Sequence, residues 1–188
     1  MDFVEPFKDV QQIDEIKKDL KQHSERDFLL FVMGINTGMK ISDMLVIKAG
    51  DVVCGKNKIK TFYEIPCEES VRQKEIYFNS KVRSALEHYL NNSGLSPNDY
   101  IYASLKTKNP ISRQQAHRII HDAIDRLGIK GKFGASSMRK TFGYHAYKKG
   151  VSISIIQEHY HHATPSETYK YLGITKEEPA RSIIDVNL

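Results

Sequence analysis

The chain has 188 residues, 40% of them hydrophobic and 27% charged, which fits one ordinary globular domain with a real core. Lys and Arg exceed Asp and Glu by a net charge of +5, a mild basic excess compatible with an anionic partner but not diagnostic of one. The opening residues carry no basic-then-apolar leader pattern and no apolar run reaches the roughly 20 residues that span a bilayer, so no membrane association is expected and the cytoplasm is the expected compartment. Cys54 and Cys67 are too few for a disulfide framework. Val10, Ile13, Ile16 and Leu20 recur at helical spacing and predict a first amphipathic helix. Ser24 is a candidate cap for a second, whose Phe28, Phe31, Val32 and Ile35 form one stripe and whose end falls at Gly38. A short helix over ISDMLVI follows.

The pattern then changes to alternation. DVVCGKNKIKTFYEIP and KEIYF predict a small antiparallel sheet, with a connecting loop from about Glu68 to Lys74. SKVRSALEHYLNN returns to helix, and DYIYAS is a short extended piece. ISRQQAHRIIHDAIDRLG is a strong helix with Ala116, Ile119, Ile120, Ala123, Ile124 and Leu127 on its apolar face and Gly128 at its end. SSMRKTFGYHAYKKG, SISIIQEHY and PSETYKYLG are further helices. The expected fold is mainly α with a small antiparallel β-sheet (α+β).

The last third carries the chemistry. Arg139, Thr141, Phe142, Gly150, Ile156, Gln157, His162, Thr168 and Tyr171 follow one another in an order and spacing that resembles the C-terminal signature of the tyrosine recombinases, the phage-integrase family. The earlier INTGMKISDML is similar to that family's Thr-Gly-x-Arg-x-Ser-Glu/Asp-Leu segment through Thr37, Gly38, Ser42 and Asp43. The resemblance runs from about Ile13 to Thr175 and is to the family's catalytic domain; each piece alone would be weak. It implies a domain over residues 1–175, a tail over 176–188 that docks on a neighbouring subunit through Ile183 and Ile184, and no N-terminal core-binding domain in this chain.

The resemblance also implies a reaction. A tyrosine phenol attacks a DNA phosphodiester, forms a 3′-phosphotyrosine and frees a 5′-hydroxyl. The bond energy is kept, so neither cofactor nor metal is needed. Carried over by position, Tyr171 is the nucleophile, with Tyr169 the confounder on the same helix, Arg139 the second phosphate-clamping arginine, and His162 a histidine hydrogen-bonding the phosphate. The implied partner is double-stranded DNA, with a homotetramer formed on it.

Two positions depart from the family, and a third departs or not according to how the hairpin loop aligns. Lys40 stands where its first arginine would be, keeping the charge but losing the bidentate fork. Ser136 stands where its histidine of His-x-x-Arg would be, and serine is no base near neutral pH. The family's hairpin lysine, which protonates the leaving oxygen, aligns with Glu68, Glu69 or Ser70, with Lys74 and Arg72 as nearby candidates. Each lost transition-state contact typically costs about 2–4 kcal/mol. Two functions therefore stay open: a recombinase or integrase, and a non-catalytic DNA-binding relative with a degenerate site. A third class, a protein-interaction domain, is disfavoured by the basic excess.

Arg113, Gln114, His117 and Arg118 lie on the polar face of their helix, as a solvated face or as a surface for DNA backbone or groove. His159, His161 and His162 cluster, but no second set of Cys or His residues completes four ligands, and zinc is not expected.

Overall fold

The computed structural model describes residues 4–55, 58–66 and 74–174. Helix α1 (Val10–His23) starts where the Asp9 carboxylate accepts from the Gln11 amide at 2.8 Å. A single residue, Ser24, separates it from α2 (Glu25–Thr37) and caps α2 by accepting from the Asp27 amide. Glu25 and Asp27 in that first turn favour the helix dipole. Gly38, left-handed at φ 62°, ends α2 and turns the chain into α3 (Ile41–Leu45).

A 3-10 turn (Ala49–Val52) leads into four short strands. These are β1 (Val53–Cys54), β2 (Lys58–Ile59), β3 (Phe62–Ile65) and β4 (Lys74–Tyr77). The expected small sheet divides into two antiparallel ladders, β1 with β2 and β3 with β4, the second in register from Phe62 opposite Tyr77 to Ile65 opposite Lys74. The chain bends between them at Lys60 and Thr61, whose backbone groups bond instead to Val52 and Phe78. Helix α4 (Ser80–Ser93) is capped by Asn79 and closed by Gly94. DYIYAS contributes only isolated bridges, Tyr100 to Lys48 and Ala103 to Pro110.

Helix α5 (Arg113–Arg126) begins with a reciprocal capping box between Ser112 and Gln115. Its far end is held to α1 by the Arg126 guanidinium, which donates to both Asp19 carboxylate oxygens at 3.0 and 2.6 Å. Then come α6 (Ala135–Lys148), α7 (Ile153–Tyr160) and α8 (Pro165–Leu172).

Helix α2 is the centre. Leu29 to Gly34 are buried in succession, so it is covered on all sides by α1, α4 and α6. Its contact with α6 is close because Gly34 faces Met138: an added Cβ would meet the Met138 sulfur at 2.8 Å. Val10, expected on the apolar stripe of α1, is 60% exposed, because the stripe's first turn overhangs the core while Ile13, Ile16 and Leu20 enter it. The segment before α1 is also interior. Phe7 is fully buried, stacks on Phe133 at 4.5 Å and donates its amide to the Thr141 hydroxyl at 2.8 Å.

Two apolar clusters result. The large one gathers α1 to α5, the strands and the first turns of α6. The small one is built from Tyr147, Ile156, Tyr160, Leu172 and Ile174 beneath α7 and α8. Helix α6 reaches both. No described helix is long and apolar enough to cross a membrane.

Candidate active site

Arg139 projects from the second turn of α6 toward the turn that ends α2. One guanidinium nitrogen donates to the Gly38 carbonyl, and another lies 3.4 Å from the Tyr160 carbonyl. The Tyr160 ring stacks on the guanidinium, 4.2 Å from its carbon to the ring centre, and the Tyr160 hydroxyl donates to the Arg139 carbonyl. Tyr160 fits there because Gly143 has no side chain; a Cβ would meet its hydroxyl at 2.5 Å. The arginine is thus clamped from three sides.

Helix α8 brings Tyr171 to that guanidinium. Thr164 caps α8, Pro165 sets its first turn and Gly173 closes it. The Tyr171 ring packs edge-on against His162 at 5.0 Å and Tyr160 at 5.4 Å. Burial pushes the phenol above its ordinary pKa of 10.0, while the Arg139 guanidinium, through its charge and a hydrogen bond, pulls the other way. Near neutral pH the phenol keeps its proton.

His162 is the imidazole packed against that ring. Burial lowers its pKa, Glu167 opposes that, and Arg139 adds to it, so the ring is neutral at pH 7. Its Nδ1 lies 3.0 Å from the Thr168 hydroxyl oxygen, which in turn lies 3.4 Å from the Thr164 carbonyl. If Thr168 donates to that carbonyl, it accepts from Nδ1–H and leaves the Nε2 lone pair free; this tautomer is assigned from the network. Gln157 fixes the backbone of His162 from both sides: its side chain donates to the His162 carbonyl and its carbonyl accepts from the His162 amide.

A cavity of about 270 Å³ opens beside these groups, lined by Lys40, Ser136, Arg139, Tyr171 and Arg113 among polar residues. Lys40 precedes α3 and Ser136 lies in the first turn of α6; both are exposed. Lys40 and Ser136 therefore reach the same space as Tyr171. Tyr169 does not line it; its ring packs on Tyr147 at 5.8 Å in the small cluster. Lys74 opens β4 opposite Ile65, and its side chain lies outside the described residues, as do Glu68, Glu69, Ser70 and Arg72. Ile183 and Ile184 lie outside them too.

Sequence reasoning missed Lys140. It is 6% exposed, donates to the Val4 carbonyl at 2.8 Å, and holds its ammonium 4.9 Å from the centre of the Tyr171 ring. Burial lowers its pKa. Its position four residues after Ser136 puts it on the same helical face, a spacing visible in the sequence, but nothing there signals that a lysine would be interior.

On the outer face of α5, Arg113, Gln114, His117, Arg118 and His121 border a shallow depression with Asp122 and Asp125 at its far end. Among the described residues no three His, Cys, Asp or Glu groups come together to hold a metal; His159 instead bonds the Thr37 carbonyl at 2.9 Å. Cys54 is exposed with a free thiol, and Cys67 lies outside the described residues.

A tyrosine, a clamped guanidinium and further cations line one small cavity, with a histidine against the tyrosine ring, on a mainly helical domain with two short ladders. The sequence profile of the Phage integrase family matches residues 6–178, and the chain belongs to that family. It is 34% identical over 183 residues to the probable integrase/recombinase YoeC of Bacillus subtilis (strain 168), covering 94% of this chain and 93% of that one. The crystal structure of XerA recombinase superposes with a TM-score of 0.75 at 18% identity, over 93% of this chain and 62% of XerA. XerH site-specific recombinase, in a post-cleavage complex with a palindromic difH substrate, superposes with a TM-score of 0.69 at 18% identity, over 90% of this chain and 49% of XerH. At such identities the likeness is one of fold. The chain spans about half to two thirds of those two structures.

Proposed function

We propose that this chain cleaves and rejoins double-stranded DNA through a 3′-phosphotyrosine at Tyr171, as a site-specific recombinase or integrase whose catalytic domain is residues 1–175. The observation that carries this reading is the convergence of Tyr171, Arg139, Lys40 and Ser136 on one cavity, with His162 against the tyrosine ring. The Tyr171 oxygen attacks phosphorus, its proton passing to His162. The bond to the 5′-oxygen breaks, and that oxygen takes a proton as it leaves; Lys74 is the candidate donor. Arg139 and Lys40 stabilise the charge on the non-bridging oxygens, and Ser136 donates a hydrogen bond to them. Arg113, Gln114, His117 and Arg118 lead away from the cavity along α5 and suit contact with the DNA backbone. That XerH is seen with a difH substrate supports DNA as the ligand. Strand exchange needs several active subunits, and a homotetramer on DNA follows from this reading.

The experiment is covalent trapping. The protein is incubated with a pool of nicked duplexes and denatured, and protein–DNA adducts are counted beside Tyr171→Phe and Tyr169→Phe. An adduct abolished by Tyr171→Phe alone upholds the proposal. An adduct that survives Tyr171→Phe overturns it.

A second reading, a DNA-binding relative that does not cleave, is favoured by Lys40 and Ser136 at positions where the family has arginine and histidine. DNA binding without an adduct supports it. Lys40→Arg with Ser136→His should then restore cleavage, by about a hundredfold or more for each contact regained.

A further inference from the structure

Arg113 has a different setting from its neighbours on α5. We propose that Arg113 is a catalytic residue: its guanidinium binds the non-bridging oxygens of the scissile phosphate and supplies the planar fork that Lys40 lacks. The proposal rests on the reading of Tyr171 as the attacking residue. Arg113 lines the cavity with Tyr171, Arg139, Lys40 and Ser136, whereas Arg118, on the same helix, borders only the outer depression. Its anchor is rigid. The Ser112–Gln115 capping box fixes the start of α5, the Arg126–Asp19 pair fixes its end, and α3 and α6 pack on its flank.

Its side chain is exposed and makes no hydrogen bond or ion pair among the described residues. The position is electrostatically costly in the free protein. A cation at the first residue of a helix opposes the dipole, and α5 has no acidic residue in its first turn to offset it. An anion arriving in the cavity removes that cost and meets two guanidinium forks, Arg113 and Arg139, with Lys40 as a third positive charge. A point-charge ammonium cannot grip two phosphate oxygens as a fork does. With Arg113 present, the site holds an arginine pair despite the lysine at position 40.

The test compares wild type with Arg113→Ala, Arg113→Lys, Lys40→Arg and the double Lys40→Arg/Arg113→Ala, with Lys18→Ala, an exposed residue of α1 that does not line the cavity, as the charge control. Two probes are used: the nicked duplex pool, read as adduct rate at saturating DNA, and orthovanadate, a phosphate analogue, titrated by vanadium NMR. Thermal melting checks that each variant is folded. Arg113→Ala should slow adduct formation by about a hundredfold and weaken vanadate binding, Arg113→Lys should recover only part, and Lys40→Arg should restore most of the loss in the double variant. If Arg113→Ala behaves as Lys18→Ala does, or lowers DNA affinity while the saturating rate stays unchanged, Arg113 is not catalytic and the rest of the site stands. If wild type forms no adduct and binds no vanadate, the reading of the whole cavity fails. Vanadate binding that depends on Arg113 without any adduct upholds the phosphate clamp and favours the non-cleaving relative.

Discussion

Replacing Gly38 with alanine tests whether the site is anchored as described. Gly38 has φ 62°, and a Cβ there would lie 2.4 Å from a Phe142 ring carbon and 3.1 Å from the His159 Nε2. Holding an L-residue left-handed costs about 1–2 kcal/mol. Displacing a packed ring costs about 1–3 kcal/mol more. Gly94 isolates the first cost: it has φ 66° and nothing within 4 Å of its would-be Cβ. Gly94→Ala should therefore lose about 1–2 kcal/mol. Gly38→Ala should lose about 2–5 kcal/mol, a fall in Tm of roughly 4–20 °C for a domain of this size. Because the Gly38 carbonyl accepts from Arg139, Gly38→Ala should also slow adduct formation at temperatures where it is fully folded. Paired thermal or urea melts of both variants decide the matter. Equal losses in the two would refute the packing argument.

The Arg126 hydrogen bonds hold the Asp19 carboxyl below its usual range, against the opposing effect of burial, so their stabilisation is present above about pH 4 and fades as pH falls through the lowered value. Asp19→Asn should cost about 1–2 kcal/mol at pH 7, with the gap to wild type closing in acid melts. Lys140 has the same sign in an alkaline window: burial lowers its pKa, so the unfolded chain binds more protons between that value and the ordinary lysine pKa near 10.4, and stability rises with pH across the window. Lys140→Met should lack that rise in urea melts taken at a series of alkaline pH values. Arg118→Ala should weaken binding to duplex DNA and reduce the slope of log affinity against log salt by about 1; an unchanged slope would remove Arg118 from the DNA surface.

What could be read in the sequence was local or periodic. The stripes of α2 and α5, the caps at Ser24 and Gly38, and the order of Arg139, His162 and Tyr171 all lie along one stretch of chain, and the helices follow them. What could not be read depends on residues far apart. Arg139 is clamped by Gly38, 101 positions earlier, and by Tyr160, 21 positions later. Lys140 is interior because the segment at Val4 folds back over α6, 136 positions away. Arg113 shares a helix face with Arg118, yet the first residue of a helix also looks past its end, and here that end opens on the cavity.

The division into two apolar clusters puts the start of α6 and helix α8 on different parts of the core. Met138 and Ala135 root the start of α6, and so Ser136 and Arg139, in the large cluster, while Tyr171 rides on α8 over the small one. A unit with so few buried contacts opens at a lower free energy than the whole domain. Amides of α8 should exchange with solvent by that partial opening while those of α2 wait for global unfolding. On the proposed reading of the site, Tyr171 then withdraws and returns while the start of α6, with Ser136 and Arg139, stays folded.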